Sequence, residues 1–200
     1  MKLSSLNSSE SLNKFREYIR SSKTSIVFSN YKKMVEGFFY TFRYISYTEN
    51  IFNLYPLIFF LGMISDSTKL SILGIDVVFI PPGERKTFLY LIYNLFKNWY
   101  DEEYENEKKL KERFVPKRVF TGLLKNFNEL VKDRVWKIGN VYFNYALKAY
   151  DVKKVSNIKL IKFEDWNIIP NLPPVYVSNI SESELYYNYY KAKHTEKLSI

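Results

Sequence analysis

Between residues 52 and 93 the apolar positions change their spacing in a way that predicts two strands and a helix. A Tyr55-Pro56-Leu57 corner leads into an apolar run that lasts to Ile64. The polar Ser65-Asp66-Ser67-Thr68 turns the chain, and Leu70 to Ile80 returns. Two apolar runs around a turn-forming tetrapeptide predict an antiparallel hairpin. Pro56 falls near the start of the first strand, where a missing ladder donor is tolerated. Pro81-Pro82-Gly83 then stops the second strand, and from Glu84 the apolar residues Phe88, Leu91, Ile92, Leu95, Phe96 and Trp99 recur on one helical face that packs across the sheet.

The same test applies on either side. Ser8-Ser9-Glu10-Ser11 followed by Leu12, Phe15, Tyr18 and Ile19 predicts a capped amphipathic helix, and the aromatic and β-branched stretch Phe38 to Ile45 predicts a strand. Asp101 to Arg113 holds ten charged residues, acidic first and basic after, and predicts a solvated extension of the preceding helix. Helical spacing resumes after Pro116 with Val119, Phe120, Leu123, Leu124, Phe127, Leu130 and Val131, and continues through Asn140 to Ala149. Ile158 to Phe163 predicts a short strand, followed by Trp166 and the prolines at 170, 173 and 174. The expected architecture is α+β: a small twisted antiparallel sheet or partial barrel packed against amphipathic helices at 84–99 and 117–150. We expect this core domain at 35–175, an N-terminal helical arm at 1–34 and a Tyr-rich C-terminal tail at 176–200. Tyr186, Tyr187, Tyr189 and Tyr190 are the tail's adhesive element, suited to docking on a partner.

Two hundred residues are enough for one domain with a real core. Aromatic residues make up 18% of the chain, a bias that either an AT-rich genome or selection for adhesive surfaces would produce. With no cysteine, disulfides, thiol chemistry and thiolate zinc sites are excluded. The apolar run Ile51 to Ile64 contains Asn53 and Pro56 and is shorter than the roughly 20 residues that cross a bilayer, so no membrane partner is expected. Met1 to Ser11 is serine-rich and lacks the apolar core of a signal peptide, so the expectation is a protein made and used in a cytoplasm or packed into a particle assembled there.

A formal charge of +9 changes the range of partners, because such an excess favours contact with polyanions. It is concentrated between residues 111 and 137, where Lys111, Arg113, Lys117, Arg118, Lys125, Lys132, Arg134 and Lys137 oppose Glu112, Glu129 and Asp133. Phe114, Phe120, Phe127 and Trp136 are interleaved, at a spacing more typical of a helical core than of stacking platforms. Catalytic signatures are missing. The one histidine, His194, lies near the C-terminus; the six glycines stand singly, so no phosphate-cradling loop is present. Asp76 followed by Glu84-Arg85-Lys86 resembles in order the acid and Glu-x-Lys set of a metal-dependent nuclease, using Asp76, Glu84 and Lys86. In that class, however, the Glu-x-Lys lies on a strand, whereas here Pro81-Pro82-Gly83 puts Glu84 at a helix start, where an acid complements the dipole. No catalytic residue, metal or cofactor is therefore expected, and the expectation is a non-enzymatic protein.

Three segments also carry a resemblance. Gly37-Phe38-Phe39-Tyr40-Thr41-Phe42, then Tyr55-Pro56-Leu57, then Gly74 to Pro82 with Arg85 one helical turn on, resemble a tailed-bacteriophage family described as DNA end protector proteins. A second block, Ile158 to Phe163, Trp166 and Leu172-Pro173, is similar to a strand, Trp and Leu-Pro pair in that family, and the likeness extends over about half of the chain, in order. Asp76 stands where the pattern has Asn, and Val78 where it has His, so a role carried by that His is not shared. The resemblance implies a structural protein of the virion, present in multiple copies and assembled in the host cytoplasm, that binds ends of double-stranded DNA or portal, neck or tail proteins. The alternative from the same particle is a tail, baseplate or connector ring subunit with no DNA contact. Candidate phosphate contacts are Arg85 and the lysines and arginines at 111, 117, 118, 125, 132, 134 and 137.

Overall fold

The computed structural model describes residues 8–20, 26–45, 55–80, 82–114, 116 and 146–172. Its centre is one antiparallel sheet of six strands: β1 (Ile26–Phe28), β2 (Phe39–Tyr44), β3 (Leu57–Ser65), β4 (Leu70–Asp76), β5 (Leu147–Asp151) and β6 (Val155–Leu160). Their order is β1-β6-β2-β3-β4-β5, and the sheet does not close. Three α-helices are described with it, α1 (Ser8–Arg20), α2 (Pro82–Leu95) and α3 (Lys97–Leu110), along with a 3-10 segment Phe163–Asn171. The chain is therefore α+β, with the sheet and helix layers that the spacing predicts.

β3 and β4 form the expected hairpin, paired from Ile58↔Asp76 to Ser65↔Leu70, and Asp66 closes its turn by accepting from the backbone N–H groups of Thr68 and Lys69. Gly74 has to be glycine for a steric reason. A Cβ there would lie 2.9 Å from the carbonyl oxygen of Phe59 on the neighbouring strand.

Leu57 to Leu61 are all buried, so the central strand is covered on both faces. Because side chains alternate along a strand, Phe39 and Phe59 share one face and Tyr40 and Phe60 the other. Trp166 and Phe88 pack edge-on against Phe39 and Phe59 respectively, which places the 3-10 segment and α2 on the first face. Tyr40 meets Phe28 and Phe60 on the second. Phe38, just before β2, sits among Trp99, Tyr100 and Phe163, and the Tyr100 hydroxyl donates to the Gly37 carbonyl at 2.6 Å. Gly37 has φ +87°, a left-handed conformation that glycine adopts without a Cβ clash. The aromatic bias thus serves the core, and among the described residues Tyr90 is the one largely exposed aromatic side chain.

Four expectations are corrected. First, the predicted arm at 1–34 belongs in part to the body: β1 pairs with β6, and α1 packs on the 3-10 segment. Lys159 of β6 donates to the carbonyls of Tyr18 and Ile19, ending α1 with a buried cation where its dipole is negative. Second, the helix expected over 84–99 breaks at Phe96, whose backbone (φ −121°, ψ 27°) is not helical. The break turns α3 so that Trp99 and Tyr100 reach Phe38. Third, the charged run is not wholly solvated, because Glu103 and Glu107 are buried. Fourth, residues 147–151, expected to continue a helix, are β5, because pairing with β4 from Ser71↔Asp151 to Ile75↔Leu147 outweighs local helix propensity. The helical region expected at 117–145 and the tail at 176–200 lie outside the described residues, as does His194. No helix among the described residues is long and apolar enough to cross a membrane.

Candidate nucleic-acid interface

The last turn of α3 carries Lys108 and Lys109, cations that complement the negative end of the helix dipole. The helix then stops at Lys111, whose backbone (φ 50°, ψ −116°) is one that residues with a Cβ rarely adopt, at a cost on the order of 1–3 kcal/mol. This kink lets Phe114 drop into the core beside Phe38 and leaves Lys111 and Arg113 exposed on either side of it.

Opposite this turn, β6 exits through Lys162 into the 3-10 segment, and an open groove of about 570 Å³ lies between the two. Lys108, Lys111, Arg113 and Lys162 line it, with Glu107 and Glu164 as its carboxylates and Tyr104 and Leu110 as its apolar wall. Four cations against two carboxylates leave the groove positive. Lys108 Nζ is 3.1 Å from Glu105 and lies 4.1 Å above the Tyr104 ring, and Lys162 Nζ is 3.9 Å from Glu164. The Lys108–Glu105 pair is exposed and of a kind worth about 0–1 kcal/mol, so that amine exchanges partners readily with an incoming anion. Lys162 is largely covered along its stem, with its amine in a long contact to the exposed Glu164.

Glu107 is the fixed point of the groove. Its carboxylate accepts from the backbone N–H of Phe163 at 2.9 Å and of Glu164 at 3.5 Å, capping the start of the 3-10 segment. Burial pushes its pKa up to about 7 against the pull of these two donors.

A second cluster of charges sits at the opposite extreme of exposure. Asp76, at the end of β4, is fully buried; its Oδ1 accepts from the N–H groups of Leu57 and Val78, each at 3.3 Å, and its Oδ2 from the Tyr150 hydroxyl at 2.8 Å. Burial pushes its pKa up to about 6, and the three donors hold it from going further. Arg85, one turn into α2, is equally buried. It donates through Nε to the Ile80 carbonyl at 2.7 Å, through Nη2 to that of Val78 at 3.1 Å, and through Nη1 to that of Leu172. Burial lowers its pKa to about 10, and nearby Asp76 offsets part of that shift, so it stays charged at neutral pH.

The structure therefore corrects the set of phosphate candidates. Arg85 is withdrawn from solvent, and each of its three nitrogens donates to a backbone carbonyl. Lys111 is exposed and borders the groove, as does Arg113, whereas Lys117, Arg118, Lys125, Lys132, Arg134 and Lys137 lie outside the described residues, as do Tyr186, Tyr187, Tyr189 and Tyr190. The nuclease alternative finds no assembled site: Asp76 points inward, Glu84 is in the first turn of α2, and among the described residues no group of three or more acids or histidines could hold a metal ion. Lys108 and Lys162 are not singled out by the sequence. The first is hidden in the charged run, and the second joins the groove only through the fold.

Some of the segments quoted for the resemblance meet at the buried cluster: Leu57, the stretch from Gly74 to Ile80, Arg85 and Leu172 are held together by the hydrogen bonds of Asp76 and Arg85. Residues of this kind report on a fold rather than an activity. No protein-family model matches the chain, and neither a curated protein nor a solved structure matches it.

Proposed function

We propose that this protein is a non-enzymatic structural component of a tailed-phage virion that contacts the phosphate backbone of linear double-stranded DNA, in the manner of the DNA end protectors its sequence resembles. The observation that carries this reading is the groove beside Lys111, where four cations from α3, the turn after it and the β6 exit converge on a rigid frame. The net charge of +9 supports it. Lysines and arginines at such a surface contact phosphate without reading sequence, so binding is salt-sensitive and indifferent to base order. The remaining cations at 117, 118, 125, 132, 134 and 137 extend the same role. Portal, neck or tail proteins are the expected protein partners, in an assembly of several copies formed in the host cytoplasm.

Titration of linear duplex DNA at several salt concentrations tests it. Replacing Lys111, Arg113 and Lys162 together by Gln is expected to weaken binding and to flatten the dependence of log K on log salt by about 0.9 for each phosphate that is no longer neutralised. Binding that is undetectable at low salt, or unchanged by the triple replacement, overturns the proposal.

One observation favours a second reading, a tail, baseplate or connector ring subunit that never touches DNA: Arg85, the cation within the family-like motif, works entirely inside the fold. In that case the triple variant assembles into particles that retain DNA normally.

A further inference from the structure

We propose that the groove between the end of α3 and the 3-10 segment takes a single unpaired nucleotide, its phosphate on Lys111, Arg113 and Lys162 and its base on the ring of Tyr104. This rests on the DNA-binding reading above and specifies which form of DNA the groove accepts. A volume of about 570 Å³ has the scale of one nucleotide; a duplex is broader and reaches the same cations from outside the groove, so the two forms compete for them. The walls match the two halves of such a ligand: cations on one side, and on the other Tyr104 and Leu110, the latter 49% exposed although it is leucine.

Tyr104 is built as a platform. Phe163 meets it edge-on, with centroids 6.2 Å apart and planes at 84°, which fixes the orientation of the ring from the core side. The groove-side ligand of that ring is Lys108, whose side chain is 52% exposed and anchored otherwise only by the exposed Glu105. A base sliding onto the ring displaces this amine, which then lies within reach of the nucleotide's own phosphate. Aromatic stacking tolerates any base, since each offers a π-face. Glu107 does not compete for the phosphate cations, because its oxygens face the N–H groups of Phe163 and Glu164.

The test is competition against a labelled linear duplex by two single-stranded oligonucleotides of equal length and charge, one with bases and one abasic, using the full chain. The oligonucleotide with bases is expected to compete about tenfold better, the size of one stacked base. Tyr104→Leu is expected to erase that ratio, and Tyr104→Phe, which keeps the ring, to preserve it. Equal competition by the two oligonucleotides overturns the nucleotide site while leaving phosphate binding intact. A ratio that survives in Tyr104→Leu also overturns it. If neither the duplex nor any oligonucleotide binds, the site and the DNA-binding reading fall together.

Discussion

The Asp76–Arg85 cluster and the groove beside Lys111 use the same chemical groups to opposite ends. In the first, a carboxylate and a guanidinium are sealed from water, and their hydrogen bonds run to backbone groups and a tyrosine. In the second, the cations hold weak partners at a solvent-facing wall. Charge count does not separate the two regions; burial does. A buried ion that loses its partners carries a large penalty, whereas an exposed one exchanges them almost freely. One cluster therefore holds a fold together, and the other is available to bind.

The sharpest way to break this contrast is Arg85→Ala, which strips the carbonyls of Val78, Ile80 and Leu172 of their donor and removes a buried cation near Asp76. A destabilisation of about 3–5 kcal/mol is expected in chemical denaturation, enough to unfold much of the protein. Arg85→Ala that stays fully stable and instead loses DNA binding would reverse the assignment.

Asp76→Asn should act in the other direction. The amide oxygen keeps accepting from Leu57 and Val78, the amide nitrogen donates to the Tyr150 oxygen, and the buried carboxylate charge is removed, at the cost of its attraction for buried Arg85. Because the folded pKa of Asp76 is raised to about 6, its favourable contribution is fully present below its unfolded value and lost as pH rises through about 6. The Asn variant escapes that loss, so at about pH 8 it is expected to be more stable than the parent by up to about 3 kcal/mol, measured by denaturation at that pH.

Glu107→Gln gives an effect of the same sign, reduced because the amide nitrogen of Gln faces one of the two backbone N–H groups that the carboxylate accepts from. The Glu107 contribution is complete below its unfolded value and disappears as pH rises through about 7, so the parent loses stability between about pH 5 and 8 and the Gln variant loses less. Thermal melts across that range check it. DNA affinity of the parent should also rise as pH falls through about 7, as one of the groove's two carboxylates is neutralised; that rise should vanish in the Gln variant.

Lys111→Gln with Arg113→Gln is expected to change stability least, by under about 0.5 kcal/mol, since both side chains are exposed. Their effect should be read in the salt dependence of DNA binding alone. Loss of folding in this pair would show that the groove, too, is structural.

Much of the fold is legible in spacing. The β3–β4 hairpin, α1, the start of α2 and the aromatic, β-branched strand β2 follow from local periodicity, composition and turn chemistry, which act over a few residues and need no knowledge of distant partners. β5 is not legible, because Lys148 and Ala149 favour helix locally and become strand only where β4 offers a ladder. Only half of the candidate site is visible, for a similar reason. Lys111 stands out in a basic stretch, but Lys162 is brought opposite it by chain reversal, and nothing in the charged run marks Glu103 and Glu107 as the buried acids among their neighbours.

The α+β class, the aromatic material of the core and the positive charge are all written in the linear chain, because hydrophobic period, composition and charge are properties of short segments and sums. Which charges are spent inside and which remain outside is settled only when distant segments meet. Arg85 and Lys111 look alike as cations in a string of letters, yet the chain passing behind α2 surrounds one with carbonyls and the kink after α3 leaves the other in water. Solvent access is a property of the whole fold, and in this protein it separates the charges enclosed in the core from those that face water.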